Sequence, residues 1–349
     1  MKLELGVVDH IDKQDRPVHS TYDDRMKLMR LYDEAGFRTF HLTEHHATPL
    51  GLAPSPLIFL AAASRLTTRI RFAPLVLIFT LYEPLRLAAE ICMLDHLTKG
   101  RFEIGGGRGI SPYELAYFNV SHLEAPEIFR EAMQVVMMAL TQDAVDHRGR
   151  HFTYRNVPIV LRPYQQPHPP IWTATGNPAS AERAGAMGHH VCFLQPVERS
   201  RTLVQHYLKG WNEAHPGQGR PKALIGLTRF IFVAENETEA REKAFDGYRV
   251  WHEKYAYLWR LNDPRPDMSE QQMQMTYPHA MIAGTPEQVR AEIERQVHAT
   301  GVNYFVTRFA YGNLSFEESA RSLALFTREV MPALREVEIE PPAPAQAVS

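Results

Sequence analysis

Cysteine is almost missing: Cys92 and Cys192 are the only two among 349 residues. That is too few for a disulfide framework, and no CxxC spacing suggests zinc or thiol redox chemistry, so the chain suits a reduced compartment. An excess of one charge is missing as well. The 38 basic and 40 acidic side chains leave a formal net charge of −2, and no basic block stands out, so nothing points to nucleic acid or an anionic membrane as partner. Long apolar runs are absent. The stretch from Ala73 to Thr80 contains Pro74 and is far too short to span a bilayer. The N-terminal MKLELGVVDH carries Lys2, Glu4 and Asp9 where a signal peptide needs an uninterrupted apolar region. A cytoplasmic protein without a membrane segment is the expectation. The 44% of hydrophobic residues suffices for one large barrel with insertions or for two smaller domains.

What is present is a recurrent punctuation: an amphipathic stretch, a glycine, then a short run of β-branched and aromatic residues. It appears around Gly36, Gly100, Gly188 and Gly301. Glycine suits the left-handed residue that ends a helix, and the run after it suits a buried parallel strand. Strands are expected at 3–8, 38–43, 69–79, 101–105, 170–175, 189–194, 222–234 and 302–310. Helices between them start near Pro54, Glu83, Pro178, Glu198, Glu237, Thr285 and Ser315. Eight strands alternating with helices predict an α/β fold, a (β/α)8 TIM barrel with insertions over residues 1–335. An open doubly wound sheet has the same alternation, because strand order is not written in a sequence.

Two segments exceed what such a barrel needs. Residues 145–169 read as a small hairpin or extended excursion. Residues 246–284, with Trp251, Tyr255, Tyr257 and Trp259, read either as a mobile lid over the barrel mouth or as an extra helix packed outside it. The Pro- and Ala-rich segment 336–349 reads as a disordered tail or an arm.

Three clusters could carry chemistry. Thr43-Glu44-His45-His46 falls at the end of the second strand, the barrel face where active sites are built. Alternation sets His41, Thr43 and His45 on one side and Glu44 and His46 on the other. A metal is the competing reading, but the spacing is not HExxH and adjacent strand residues do not converge on one ion, so no metal is expected. The second cluster is Gly105-Gly106-Gly107-Arg108-Gly109, where glycines let backbone N–H groups approach an anion and an arginine can grip a phosphate. It is neither a P-loop nor GxGxxG, and a flexible loop with an exposed arginine would look the same. The third is Thr175-Gly176-Asn177-Pro178, a strand entering a helix with Asn177 as cap and Pro178 in the first turn. It reads as an anion site or simply as a well-capped helix.

Together these stretches resemble the luciferase-like family of flavin-dependent monooxygenases and related oxidoreductases. The matching residues are Glu44-His45-His46, Pro84-Leu85-Arg86 with Ala89-Glu90, Leu94-Asp95, Lys99-Gly100-Arg101-Phe102, Gly105 and Arg108-Gly109. Further on, Pro170-Ile171-Trp172, Gly176-Asn177-Pro178 and Ala283-Gly284-Thr285-Pro286-Glu287 also match, so the likeness spans nearly the whole barrel. It implies reduced FMN delivered by a separate flavin reductase, and oxygenation of a small organic substrate by O2 through a flavin C4a-hydroperoxide. By position, His45 matches the family's active-site histidine and Arg108 its phosphate arginine, with Gly109, Thr175, Gly176 and Asn177 beside the phosphate. Leu75 and Val76 match a bulge under the isoalloxazine ring, often a non-prolyl cis peptide in relatives. One departure concerns the luciferase alpha subunit, whose reactive cysteine is replaced here by Gly107, and this argues against light emission from a long-chain aldehyde.

The substrate wall is expected from Phe79, Tyr82, Phe193, Phe309 and Tyr311, with Trp172, unless these rings serve the core. Rival readings within and beyond the family are an F420-dependent hydride-transfer oxidoreductase, a non-catalytic flavin-binding or partner subunit, and a flavin-free barrel lyase or isomerase. Relatives are often dimers, which leaves room for a homodimer.

Overall fold

A computed structural model of the chain describes residues 1–263 and 270–339. In chain order the strands are β1 (Glu4–Asp9), β2 (Thr39–Leu42), β3 (Arg71–Pro74), β4 (Leu77–Ile78), β5 (Ile104–Gly107), β6 (Ala144–Arg148), β7 (Thr153–Pro158), β8 (Ile171–Ala174), β9 (His190–Phe193), β10 (Ile225–Val233), β11 (Met281–Gly284) and β12 (Tyr304–Arg308). Ten of them form one sheet in the order β3-β2-β1-β12-β10-β9-β8-β5-β4, with β11 attached to β10. β3 and β4 are two pieces of one stave, broken at Leu75-Val76, whose peptide bond is cis. Since β4 pairs with β5 and Phe72 bridges Phe102, the ring closes and the molecule is a TIM barrel of eight staves.

Local chemistry accounts for the helices around it. α1 (Val18–Ala35) ends on Gly36 at φ 78°, and Gly100, Gly188 and Gly301 also take the left-handed conformation expected of them. α2 (Pro56–Ser64) and α3 (Pro84–Leu97) start with proline in the first turn. α4 (Pro112–Tyr117) starts on Ser111, which accepts from the Glu114 N–H, and α5 (Ala125–Thr141) follows it. α6 (Pro178–Ala186) is capped by Asn177, and α7 (Val197–Ala214), α8 (Glu237–Tyr255), α9 (Tyr257–Asn262) and α10 (Glu270–Ala280) come next. α11 (Pro286–Thr300) and α12 (Phe316–Leu325) begin with complete capping boxes at Thr285 and Ser315.

Strand alternation divides the core in two. Val7, Phe40, Phe193, Phe305 and Phe309 fill the layer between sheet and helices, whereas Val8, Ala73, Trp172, Cys192, Tyr304 and Val306 fill the barrel itself. Residues 144–158 make the antiparallel hairpin β6–β7. β11 was not anticipated, because four residues between Pro278 and a helix cap carry too short a pattern to read. Of the tail expected from 336, the Ile339 N–H donates to the Met1 carbonyl at 2.9 Å and Ile339 is buried, which joins both ends of the described chain. Residues 340–349 lie outside the described residues, as do 264–269 within the segment read as a lid. No described helix is long and apolar enough to cross a membrane.

Candidate functional site

The barrel interior carries one polar cluster near each end. Toward the N-terminal ends of the strands, buried Glu103 accepts from Arg38 Nη2 at 3.0 Å, Arg71 Nε at 2.5 Å and Trp172 Nε1 at 2.5 Å. These partners outweigh burial and hold its carboxyl down at about 2. The His41 and Tyr304 side chains share a hydrogen bond of 2.9 Å nearby. A cavity of about 360 Å3 opens below, lined in part by Lys2, Arg38, His190 and Lys222. It lies at the end of a (β/α)8 barrel that serves stability, so the catalytic face is sought at the other end.

There β2 delivers His45. Its Nδ1 lies 3.0 Å from Glu114 Oε1, and its ring stacks on His10 with centroids 5.5 Å apart. A carboxylate only accepts, so Nδ1 carries the proton of this bond, which leaves Nε2 as the ring nitrogen available to another partner. His46 turns away to Glu44 Oε1 at 2.8 Å, while Glu44 Oε2 accepts from the Ile78 N–H at 2.9 Å and the Tyr82 hydroxyl at 3.1 Å. Glu44 thus ties the end of β2 to the chain just after the cis bond.

Beside this, β5 has been emptied of side chains for steric reasons. A Cβ on Gly105 would come 1.7 Å from the Pro74 carbonyl oxygen, and one on Gly107 would come 2.4 Å from Val76 Cγ2. A cysteine at 107 would therefore collide with the bulge. Gly109 has φ 84°, which only glycine adopts easily, and Thr80 Oγ1 donates to the Arg108 carbonyl at 3.0 Å. The Arg108 side chain is exposed. Because β8 pairs with β5, the Thr175-Gly176-Asn177 turn lies at the same rim. Its geometry is held by the Asn177 N–H on Thr175 Oγ1 at 3.1 Å and by Arg199 Nη2 on the Gly176 carbonyl at 3.0 Å. Leu75, Val76, Arg108, Gly109, Thr175, Gly176 and Asn177 thus gather on one side of the mouth.

The sequence model of the luciferase-like monooxygenases matches residues 3–304. The chain belongs to that family. The Sinorhizobium fredii protein y4wF is 34% identical to it over 337 residues, covering 95% of this chain and 97% of that one. The oxygenase component of the flavin-dependent trigonelline monooxygenase from Acinetobacter baylyi is 26% identical over 335 residues, covering 91% of each chain. In three dimensions the chain superimposes with a TM-score of 0.81 on the oxygenating constituent of 3,6-diketocamphane monooxygenase from Pseudomonas putida. That structure, solved with FMN, is 19% identical and covers 97% of this chain and 99% of its own, a likeness of fold.

In this luciferase-like monooxygenase several expected wall residues are placed elsewhere. Phe193 and Phe309 point outward from their strands by simple alternation, Phe309 packing on Tyr32, Phe37 and Phe326. Phe79 packs on Phe129 of α5, and Trp172 lies deep in the barrel on Glu103. Tyr311 sits behind Phe230, 5.0 Å away. Tyr82 alone of the set touches the site, through Glu44. On the far side of His10 the buried rings of Phe230 and of Trp251 of α8 pack 4.7 Å apart. α8 reaches the mouth because Lys254 bonds Asp12 Oδ2 and the Gly312 carbonyl, both at 2.8 Å, and Trp259 of α9 meets Tyr113. Sequence reasoning missed His10, Glu114 and Arg308, and named Trp251 only within the segment read as a lid or an extra helix. The Ser111-Pro112-Tyr113-Glu114 pattern signals a helix start, but which group the glutamate would meet depends on the fold. The KGRF stretch proves architectural at Arg101, which donates to the carbonyls of Ser64, Thr67, Ile70 and Thr98.

Proposed function

We propose that this chain is the cytoplasmic oxygenase component of a two-component FMN monooxygenase, receiving reduced FMN from a separate reductase and oxygenating a small organic substrate with O2. The observation that carries the reading is the pairing of His45 with Glu114, two staves from the β5 positions Gly105 and Gly107, where a Cβ would collide with the neighbouring stave. The close packing of Gly105 and Gly107 on the Leu75-Val76 bulge supports a flat isoalloxazine ring lying against that side of the mouth. Arg108, exposed and free of ion pairs among the described residues, and the Thr175-Gly176-Asn177 turn would hold the phosphate.

When bound, reduced FMN supplies the electrons that activate O2. The protein's own part is positioning, proton transfer and exclusion of water. Glu114 orients His45 so that Nε2 accepts a proton at the mouth and returns it, the usual division of labour between a base and the group that aims it. Trp251 and α9 cover the mouth from the β1 and β12 side. Release of the Lys254 contacts would free 246–263, the described part of the segment, to move as a lid.

Anaerobic titration tests the cofactor: reduced FMN should bind and reduced F420 should not. After mixing with O2 and a panel of apolar aldehydes and ketones, wild type should couple O2 uptake to product. His45→Ala should bind FMN about as well and lose coupled oxygenation on the order of 100-fold or more, leaking peroxide. Full product yield from His45→Ala, or tighter binding of F420, overturns the reading.

A further inference from the structure

Above the barrel interior, on the side away from the cofactor floor, a buried cation has been left over. Two carboxylates, Asp9 and Asp12, face three cations, Arg25, Lys254 and Arg308. Asp9 takes Arg25 at 2.7 Å and Asp12 takes Lys254 at 2.8 Å. Arg308, 3% exposed, makes no ion pair among the described residues, and its Nε and Nη1 have no hydrogen-bond partner. Its guanidinium instead lies over the rings of Phe230 at 4.4 Å and Trp251 at 5.5 Å. Burial lowers its pKa to about 10, so the charge persists at neutral pH.

Its neighbours are unsatisfied in the same way. Trp251 Nε1 and His10 Nδ1 are buried without partners, and the two rings lie 5.7 Å apart. Burial, with repulsion from Arg308 and His45, keeps His10 well below the ordinary imidazole range, so it is neutral and offers one donor. Leaving a buried guanidinium unpaired is destabilising, and such groups pair when a ligand completes the set. Arg308 also stands on β12, four staves from β5 in either direction around the ring. It therefore faces the cofactor floor from across the mouth, where the second reactant lies.

We propose that Arg308, with His10 and Trp251 as hydrogen-bond donors, holds a carboxylate of the substrate against an apolar wall of Phe230 and Trp251. This rests on the preceding reading for the word substrate, but the anion site itself does not. The substrate is then an organic acid with an apolar body, more specific than a small hydrophobic molecule.

Calorimetric titration of the full-length chain with benzoate and with its neutral counterpart benzamide tests this, with and without FMN. Wild type should prefer benzoate on the order of tenfold. Arg308→Met and Arg308→Gln should each erase that preference while changing FMN affinity less than about threefold. The melting temperature of free Arg308→Met should equal or exceed that of wild type, since an unpaired buried charge is removed; a purely structural arginine would lower it. Equal binding of the two probes to wild type, or benzoate binding retained in both variants, overturns the proposal. So does a loss of FMN affinity in both variants with benzoate binding intact, which would assign the guanidinium to the flavin. Benzoate binding by a wild type that takes no FMN would support the anion site and refute the monooxygenase reading instead.

Discussion

The two polar clusters inside this barrel are built from similar residues and behave oppositely. Around Glu103, both carboxylate oxygens are occupied by Arg38, Arg71 and Trp172. Around Arg308, donors on Arg308, Trp251 and His10 have no acceptor, while Asp9 Oδ2 and Asp12 Oδ1 face Arg25 as ion pairs without hydrogen bonds. The lower cluster closes the barrel; the upper one leaves donors for a molecule that arrives. A satisfied buried network contributes rigidity, and an unsatisfied one marks where binding energy is available.

The sharpest way to break the contrast is Glu103→Ala, which strands Arg38 and Arg71 beside Trp172. It should lower stability by about 3 kcal/mol, at the low end for a broken buried pair because both arginines are partly exposed. Urea unfolding measures this, and FMN affinity of the folded fraction should stay unchanged.

Acid comes next. His41 and His190 have their pKa values lowered by burial, to about 3 and about 4. Folded values below the unfolded one mean that their contribution is complete above about pH 6.5 and is lost as pH falls toward the folded values. Unfolding at pH 5 should therefore show roughly 2 kcal/mol less stability for each histidine than at pH 7. His190→Gln should reduce that loss.

Arg108→Ala has the smallest effect on stability, within about 0.5 kcal/mol for an exposed side chain. It should weaken FMN on the order of tenfold through the lost phosphate contact, with riboflavin affinity unchanged. Equal losses for FMN and riboflavin would separate Arg108 from the phosphate.

Much of the fold was legible. Glycine at the ends of helices, proline in first turns and the Thr285 and Ser315 caps act within a few residues, so they were read correctly from local pattern. Alternation set His41 and His45 on one side; His41 meets Trp172 inside the barrel, and His45, beyond the last strand residue Leu42, stacks on His10. Alternation would also have turned Phe193 and Phe309 outward had it been applied to them. The partners were not legible, since Glu114 is 69 residues from His45 and Arg308 meets Phe230 and Trp251 from other elements.

The sequence by itself determined the alternation of strands and helices, the caps, the glycine run of β5 and the family. Each of these depends on conformational preferences or spacing within one segment. Tertiary structure alone decided that the ring closes, that Gly105 and Gly107 press on the Leu75-Val76 bulge, and that three cations share two carboxylates. Those outcomes depend on contacts across the barrel, where distance in sequence says nothing about distance in space and charge is balanced only after folding.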